Sequence, residues 1–271
     1  ANNKFKDMEK LARVIKEKGA RPGIWIRPLK DETHHLDIPR HPLREVVLDP
    51  TCEETIALIK EDFSKLTKWG YELIKFDFVT VDIYLNYGFE MPDNLVSNKW
   101  RYKNNNLTNA EIILKMYRTI REVTPNVVLI GCNAITHLCA GIVEINRIGD
   151  DISGMEWERT RKYGVNSLAY RLVQNDIFYK IDADCVGIMG KYSWDQNRLW
   201  LDLLAKSGSP LFISCDPKVA DQKVKQDIKD AFIINCKQDN ICYPIDYKQN
   251  LLPTKWIIDG EVVEYNWHLI P

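Results

Sequence analysis

The sequence predicts an α/β fold, either a β/α barrel or an open doubly wound sheet. Three observations predict it. Short apolar runs alternate with amphipathic helical stretches through about six β/α repeats in the 271 residues. The apolar runs are continuous rather than alternating, as parallel strands covered on both faces are. No Gly-rich phosphate fingerprint follows any of them, which counts against a dinucleotide-binding sheet.

The elements follow in order. Residues 5–18 set Phe5, Met8, Leu11, Ala12 and Ile15 on one stripe closed by Gly19, which predicts a helix. "RPGIWIRPL" is a short strand between prolines. "DPTCEETIALIKEDFSKLTKWG" spaces Ile56, Ile59, Phe63, Leu66 and Trp69 as a helix does, with Gly70 as its C′ residue. "YELIKFDFV" returns as a strand. Thr108 and Glu111 form a capping box ahead of the next helix. "NVVLIGCN" and "GIVEINRIGDD" are two strands whose short connection must be a loop or a single turn. Helices are expected near 166–179, over 195–206 and over 222–234, with strands at "ADCVGIMG" and "SPLFISCDP" between them. From residue 241 the pattern changes, and "TKWIIDGEVVEYNW" reads as a β-hairpin with Asp259-Gly260 at its tip. Residues 1–240 are therefore expected to form a β/α barrel, and 241–271 the start of a β-sandwich-like domain.

Composition narrows the function classes. A formal net charge of −1 with interleaved signs leaves no basic stripe for nucleic acid. No apolar run reaches the roughly 20 residues of a membrane-spanning helix. The N-terminal stretch is charged and amphipathic, unlike a signal peptide, and opens in a helix with no strand before it, as if inside a larger fold. Seven cysteines, an odd number without CxxC spacing, predict buried free thiols rather than a disulfide framework. The sequence assigns no compartment.

In a barrel, chemistry sits at the C-terminal ends of the strands. The residues gathered there are Trp25 and Arg27, Lys75 and Asp77, Cys132 and Asn133, Arg147 with Asp150 and Asp151, Asp182 with Asp184, and Asp216. Carboxylates recur and no histidine does. His34, His35 and His41 fall in "DETHHLDIPRHP", read as a solvated loop rather than a metal site. Several carboxylates without a histidine base or a serine elbow suit glycosidic hydrolysis, in which one carboxylate attacks and another holds a proton. Lys75 and Asp77 share a strand face. They are either a nucleophile beside a charge that keeps it ionised, or a structural ion pair at the strand end.

The motifs Lys75-Phe76-Asp77 and Arg147 through Asp151 resemble the glycoside hydrolase clan of retaining α-galactosidases and α-N-acetylgalactosaminidases, most of all the microbial α-galactosidase (melibiase) family. "EKGARPGIWIRP", the helix leading into "LIKFD" and "AKSGSPLFIS" are similar in the same order, so the likeness covers residues 5 to 235. It implies a (β/α)8 TIM-type barrel lacking its first two β/α units in this chain, an open piece that invites self-association. It implies no cofactor and no metal, with a carbohydrate as partner and no role for nucleic acid or membrane. Asp77 would be the nucleophile and Asp151 the acid/base. Lys75 would hydrogen-bond sugar hydroxyls, Arg147 hold the region of the 2-position, Trp25 wall the pocket and Cys132 lie against the ring. Asp216 is placed with substrate or as a helix cap.

The family's acid is replaced by Arg27, and adjacent Asp150 and Asp151 cannot both face the site. Asp182 and Asp184 are read as loop caps. Beside α-galactoside hydrolysis stand an α-N-acetylgalactosaminidase, a non-catalytic carbohydrate-binding piece and an aldolase with Lys75 as a Schiff base.

Overall fold

The computed structural model describes residues 4–32, 37–85, 100–237 and 241–268. The chain divides into two compact units, Ala1–Asn146 and Arg147–Pro271.

The first unit opens with α1 (Met8–Glu17), whose Asp7 cap accepts the Lys10 N–H at 2.8 Å. The helix is shorter than its pattern: Phe5 precedes it and is exposed, and only Ala12 is fully buried. Strand β1 (Gly23–Ile26) follows. An antiparallel ribbon absent from the sequence reading comes next, β2 (Arg40–His41) with β3 (Arg44–Leu48). Helix α2 (Glu53–Lys68) buries Ile56, Ile59, Phe63 and Leu66, and Gly70 beyond it takes a φ of 90° as a C′ residue should. Strand β4 (Leu73–Phe76) stops short of the expected end, because Phe78 enters the left-handed region at φ 62°. That turn starts α3 (Val79–Tyr84), a helix hidden inside a β-branched run. The capping box of α4 (Asn109–Val123) is formed in both directions between Thr108 and Glu111.

Strand β5 (Val128–Gly131) and strand β6 (Ile145–Arg147) are joined through one 3₁₀ turn, Thr136–Leu138, as the short connection required. The strands run parallel in the order β1-β4-β5-β6. Trp25, Lys75 and Ile130 stand level across the first three.

The second unit begins at the last residue of β6. Its first helical stretch starts earlier than the pattern placed it, with α5 (Trp157–Arg159), a π-helical segment over Thr160–Val165, α6 (Asn166–Arg171) and a 3₁₀ end at Leu172–Gln174. The strand expected at "ADCVGIMG" is β8 (Cys185–Ile188), and a further short strand that the pattern did not announce, β7 (Lys180–Asp182), precedes it, the two separated by a turn at Asp184 with φ 72°. Helix α7 (Trp194–Lys206) leads to β9 (Phe212–Cys215), parallel to β8 in the register Cys185↔Phe212. Asp221 caps α8 (Gln222–Asn235) by accepting the Val224 N–H.

An antiparallel sheet closes the described chain, with β10 (Cys242–Pro244), β11 (Lys255–Ile258) and β12 (Glu261–Glu264). Asp259 (φ 50°) and Gly260 (φ 90°) make the expected tip, both left-handed as a type I′ turn demands. Trp256, Tyr265 and Trp267 are buried beneath it, and the Tyr265 hydroxyl donates to Asp202 of α7 at 2.7 Å.

The α/β class and the parallel strands follow the expectation, but the strands form open arrays, and no barrel closes among the described residues. All seven cysteines are free. Among the described residues no helix is long and apolar enough to cross a membrane.

His34 and His35 lie outside the described residues. His41 is not in a solvated loop: it is 2% exposed on β2, its ring 4.5 Å from that of Trp100 and edge-on to Tyr102. Its Nδ1 accepts the Leu43 N–H, and burial holds its pKa below the ordinary 6.5. Protonation therefore costs the folded state more than the unfolded one. The His41 contribution to stability is complete above about pH 6.5 and is lost as pH falls toward the lower folded value. Between about pH 7 and pH 5 the Tm of the wild type should fall more steeply than that of His41→Gln. Parallel Tm–pH curves for the two proteins would contradict this.

Candidate functional site

Two groups of charged side chains sit at the C-terminal ends of strands, one in each unit.

In the first unit Asp77 lies one residue past β4. Its Oδ1 accepts its neighbour's N–H, from Phe78, at 2.6 Å. Its Oδ2 accepts the indole N–H of Trp25 at 3.1 Å. Trp25 is half exposed on β1 and meets Phe78 edge-on at 6.2 Å, so it walls the space beside Asp77 rather than filling the core. Lys75 points to the same face, yet its Nζ forms no ion pair with Asp77 or with any other described residue. The ion-pair account of these two charges is corrected: Asp77 is held by N–H donors, and Lys75 keeps its own donors unspent.

Cys132 is buried just past β5, where its N–H donates to the Phe76 carbonyl. Asn133 serves the scaffold. Its carbonyl accepts the Thr80 N–H and hydroxyl, and its side-chain oxygen accepts the Val81 N–H, so it caps α3 from a neighbouring strand.

The sequence reading missed the acid that matters most beside this group. Asp82 of α3 is fully buried and takes two hydrogen bonds from Arg27, Nε at 2.8 Å and Nη2 at 2.6 Å. Arg44 approaches the same carboxylate at 3.5 Å. The Asp82 hydrogen bond raises the Arg27 pKa further, and its guanidinium lies 4.2 Å over the Phe78 ring. The departure at Arg27 is thus answered from within the chain. The available signal was an acid inside "FVTVDIY", at a position with no cap to make.

In the second unit one guanidinium serves three carboxylates. Arg147 is 7% exposed and spends Nε on Asp182 (2.9 Å), Nη2 on Asp184 (2.7 Å) and Nη1 on Asp151 (3.1 Å). Asp182 and Asp184 are buried, Asp151 is 76% exposed. The reading of Asp182 and Asp184 as loop caps is corrected: they are ion-pair partners first. Asp182 also accepts the Asp184 N–H, and Asp184 accepts the Ile152 N–H. Next to them, burial pushes the Cys185 thiol up to about 12.

Asp150 and Asp151 do differ in direction. Asp150 folds back to accept the Asp151 N–H and pairs with Arg159 at 2.9 Å. The loop that carries both is clamped further on. Gly154 (φ 76°) lies so close to Gly187 of β8 that a Cβ on Gly187 would stand 2.3 Å from the Gly154 nitrogen. A glycine inside a strand signals such close backbone approach.

Asp216, just past β9, accepts the Lys218 N–H in a local turn, and α8 is capped by Asp221 instead.

No protein-family model matches the chain. Its fold does match solved structures. An α-galactosidase from Thermus thermophilus, in complex with p-nitrophenyl α-D-galactopyranoside, is 19% identical with a TM-score of 0.67, over 97% of this chain and 56% of that one. The chain carries the fold of the α-galactosidase-like glycoside hydrolases. A GH27 β-L-arabinopyranosidase from Geobacillus stearothermophilus shares it at 15% identity and a TM-score of 0.62, over 89% of this chain and 60% of that one. So does α-galactosidase I from Mortierella vinacea, at 12% identity and a TM-score of 0.58, over 95% and 62%. The chain thus spans little more than half the length of these proteins.

Replacing Asp82 by alanine leaves Arg27 charged and poorly hydrated without its partner. Asp82→Ala should cost about 3–5 kcal/mol of stability by denaturant unfolding. A cost below about 1 kcal/mol would mean that Arg27 and Asp82 are not paired in solution.

Proposed function

We propose that this chain is the catalytic part of a retaining glycoside hydrolase that cleaves terminal α-galactosides. The residue-level support is the state of Asp77. A carboxylate at a strand end, fixed by two N–H donors beside a half-exposed tryptophan, is built as a positioned nucleophile. The fold likeness supports the class, since proteins with this fold have been solved with p-nitrophenyl α-galactopyranoside, stachyose and raffinose.

In this reading Asp77 attacks the anomeric carbon as the glycosidic C–O bond breaks. Asp151 gives its proton to the departing oxygen. Asp151 then takes a proton from water, which displaces Asp77 from the sugar and regenerates both groups. Retention of configuration requires the two carboxyl groups about 5–5.5 Å apart in the reacting complex. Lys75, with no ion pair among the described residues, offers its ammonium to sugar hydroxyls, and Trp25 presents its ring to the C–H face. Cys132 packs below the ring. Arg147 is bound to three carboxylates, so its part is to orient Asp151 rather than to hold the 2-position itself. Asp216 remains a substrate contact in this proposal. Residues 241–271 are taken as a β domain distinct from the barrel strands.

A second sugar has a specific observation behind it, the arabinopyranosidase with this fold. A β-L-arabinopyranoside is an α-D-galactoside ring without its C5 hydroxymethyl group, so the same two carboxylates could serve either.

The test is turnover of a chromogenic α-galactoside by the full-length protein. Asp77→Asn should lower kcat on the order of 10⁴-fold or more. Asp151→Asn should lower it about 10²–10⁴-fold, less with an activated aryl leaving group that needs little protonation. The first sugar product should keep the α configuration by NMR. Full activity in Asp77→Asn, or a β product, would reject the mechanism.

A further inference from the structure

The Asp151 side chain is 76% exposed, so packing does not aim it. Arg147 meets one oxygen of its carboxyl group, and the rest of its direction comes from the backbone. We infer that Arg159 is a positioning residue that sets this direction, so that proton transfer by Asp151 depends on it. The inference rests on the glycosidase reading above and adds to it a residue outside the stretch from Arg147 to Asp151.

Three hydrogen bonds close a ring around the Asp151 Cα. The Asp151 N–H donates to the Asp150 carboxylate at 2.7 Å. That carboxylate accepts from Arg159 Nη2 at 2.9 Å. Arg159 Nε then donates to the Asp151 carbonyl, also at 2.9 Å. A Cα whose amide and carbonyl are both held has its Cβ direction fixed by tetrahedral geometry. Only two side-chain torsions remain to be set. A guanidinium suits this task because its rigid planar fork serves two acceptors at once.

Arg159 is itself anchored. Its guanidinium lies 4.8 Å over the Tyr163 ring. Tyr163 belongs to the π-helical segment Thr160–Val165, a rare form that collects at functional sites. The same segment meets the loop on both sides of Asp151. A Cβ on Gly149 would stand 2.2 Å from the Tyr163 carbonyl oxygen, and one on Gly164 would stand 2.7 Å from Ile152 Cδ1. Past Ile152 the loop ends in a three-residue turn, in which the Gly154 N–H donates to the Ile152 carbonyl at 2.7 Å across Ser153 at φ 55°. A serine keeps so strained a backbone only where its surroundings hold it, and such strain gathers at sites of preset geometry.

A general acid must come within about 2.6–3.2 Å of the oxygen that it protonates. Misplacing it by about 1 Å costs on the order of 10²-fold. That loss scales with how much the leaving group needs the proton. A residue that merely staples the fold would lower the turnover of every substrate alike.

The test compares kcat/KM of the full-length wild type, Arg159→Ala and Arg159→Lys on two substrates. The leaving group of p-nitrophenyl α-galactoside needs little protonation, and that of methyl α-galactoside needs much. Arg159→Ala should lower the methyl value about 10- to 100-fold and the p-nitrophenyl value several times less. Arg159→Lys, which keeps the charge but not the fork, should recover part of the methyl loss. An equal loss on both substrates, or no loss on either, overturns the inference. Hydrolysis of neither substrate by the wild type would reject the glycosidase reading alone. In that case the positioning is read from amide hydrogen exchange of the peptide that holds Asp151 and Ile152. Faster exchange confined to that peptide in Arg159→Ala supports Arg159 as the group that holds Asp151. Unchanged exchange, or faster exchange spread through the whole second unit, overturns it.

Discussion

One buried guanidinium organises the acidic half of this molecule. Arg147 has a single positive charge and three carboxylates within hydrogen-bond reach, two of them out of water. A buried carboxylate without a partner is costly, so Asp182 and Asp184 must stay on Arg147. The third contact is different in kind. Asp151 meets Arg147 from solvent, and breaking that contact would leave no buried charge unpaired. The same arginine therefore fixes a loop and presents one carboxyl group outward. Arg27 and Asp82 repeat the device in the first unit, where the pair anchors Phe78 and thereby the turn that follows Asp77.

The sequence was informative where a local rule acts. Helices α2 and α4 follow from apolar spacing, a C′ glycine and a capping box, and the hairpin follows from Asp259-Gly260. The strand ends named Asp77 and Arg147 through Asp151 directly. It was silent where the structure depends on distant partners. Helix α3 is hidden in a run of β-branched residues, because what starts it is the left-handed turn at Phe78 and the cap from Asn133. The break between β7 and β8 comes from Asp184 turning to reach Arg147 and the Ile152 N–H. His41 looked like loop because nothing near it in sequence announces Trp100 and Tyr102. Lys75 and Asp77 show the same limit in reverse. Adjacency on one face suggested an ion pair, while the partners of Asp77 are an indole from the next strand and its own neighbour's amide.

Those two outcomes suit each other chemically. A nucleophilic carboxylate must be positioned without being neutralised by a permanent cation, since a fixed salt bridge would spend the charge that attacks. N–H donors from Trp25 and Phe78 give Asp77 its direction, and in the proposed reaction Lys75, without an ion pair among the described residues, would serve the sugar. The fold likeness covers nearly all of this chain but little more than half of the proteins it matches. The proposed chemistry therefore concerns the arrangement of strand-end acids, and the full protein is the proper subject for its kinetics.

The central claim is that Asp77 forms a covalent bond to the sugar. A 5-fluoro-α-galactosyl fluoride slows both steps by destabilising the oxocarbenium-like transition state, in which charge develops on the adjacent ring oxygen, while its fluoride leaving group speeds the first step relative to the second so that the glycosyl-enzyme accumulates. Peptide mapping of the treated full-length protein by mass spectrometry should find one fluorogalactosyl adduct, on the carboxylate of Asp77. Turnover of the reagent with no adduct, or an adduct on Asp151 or any other residue, would contradict the account.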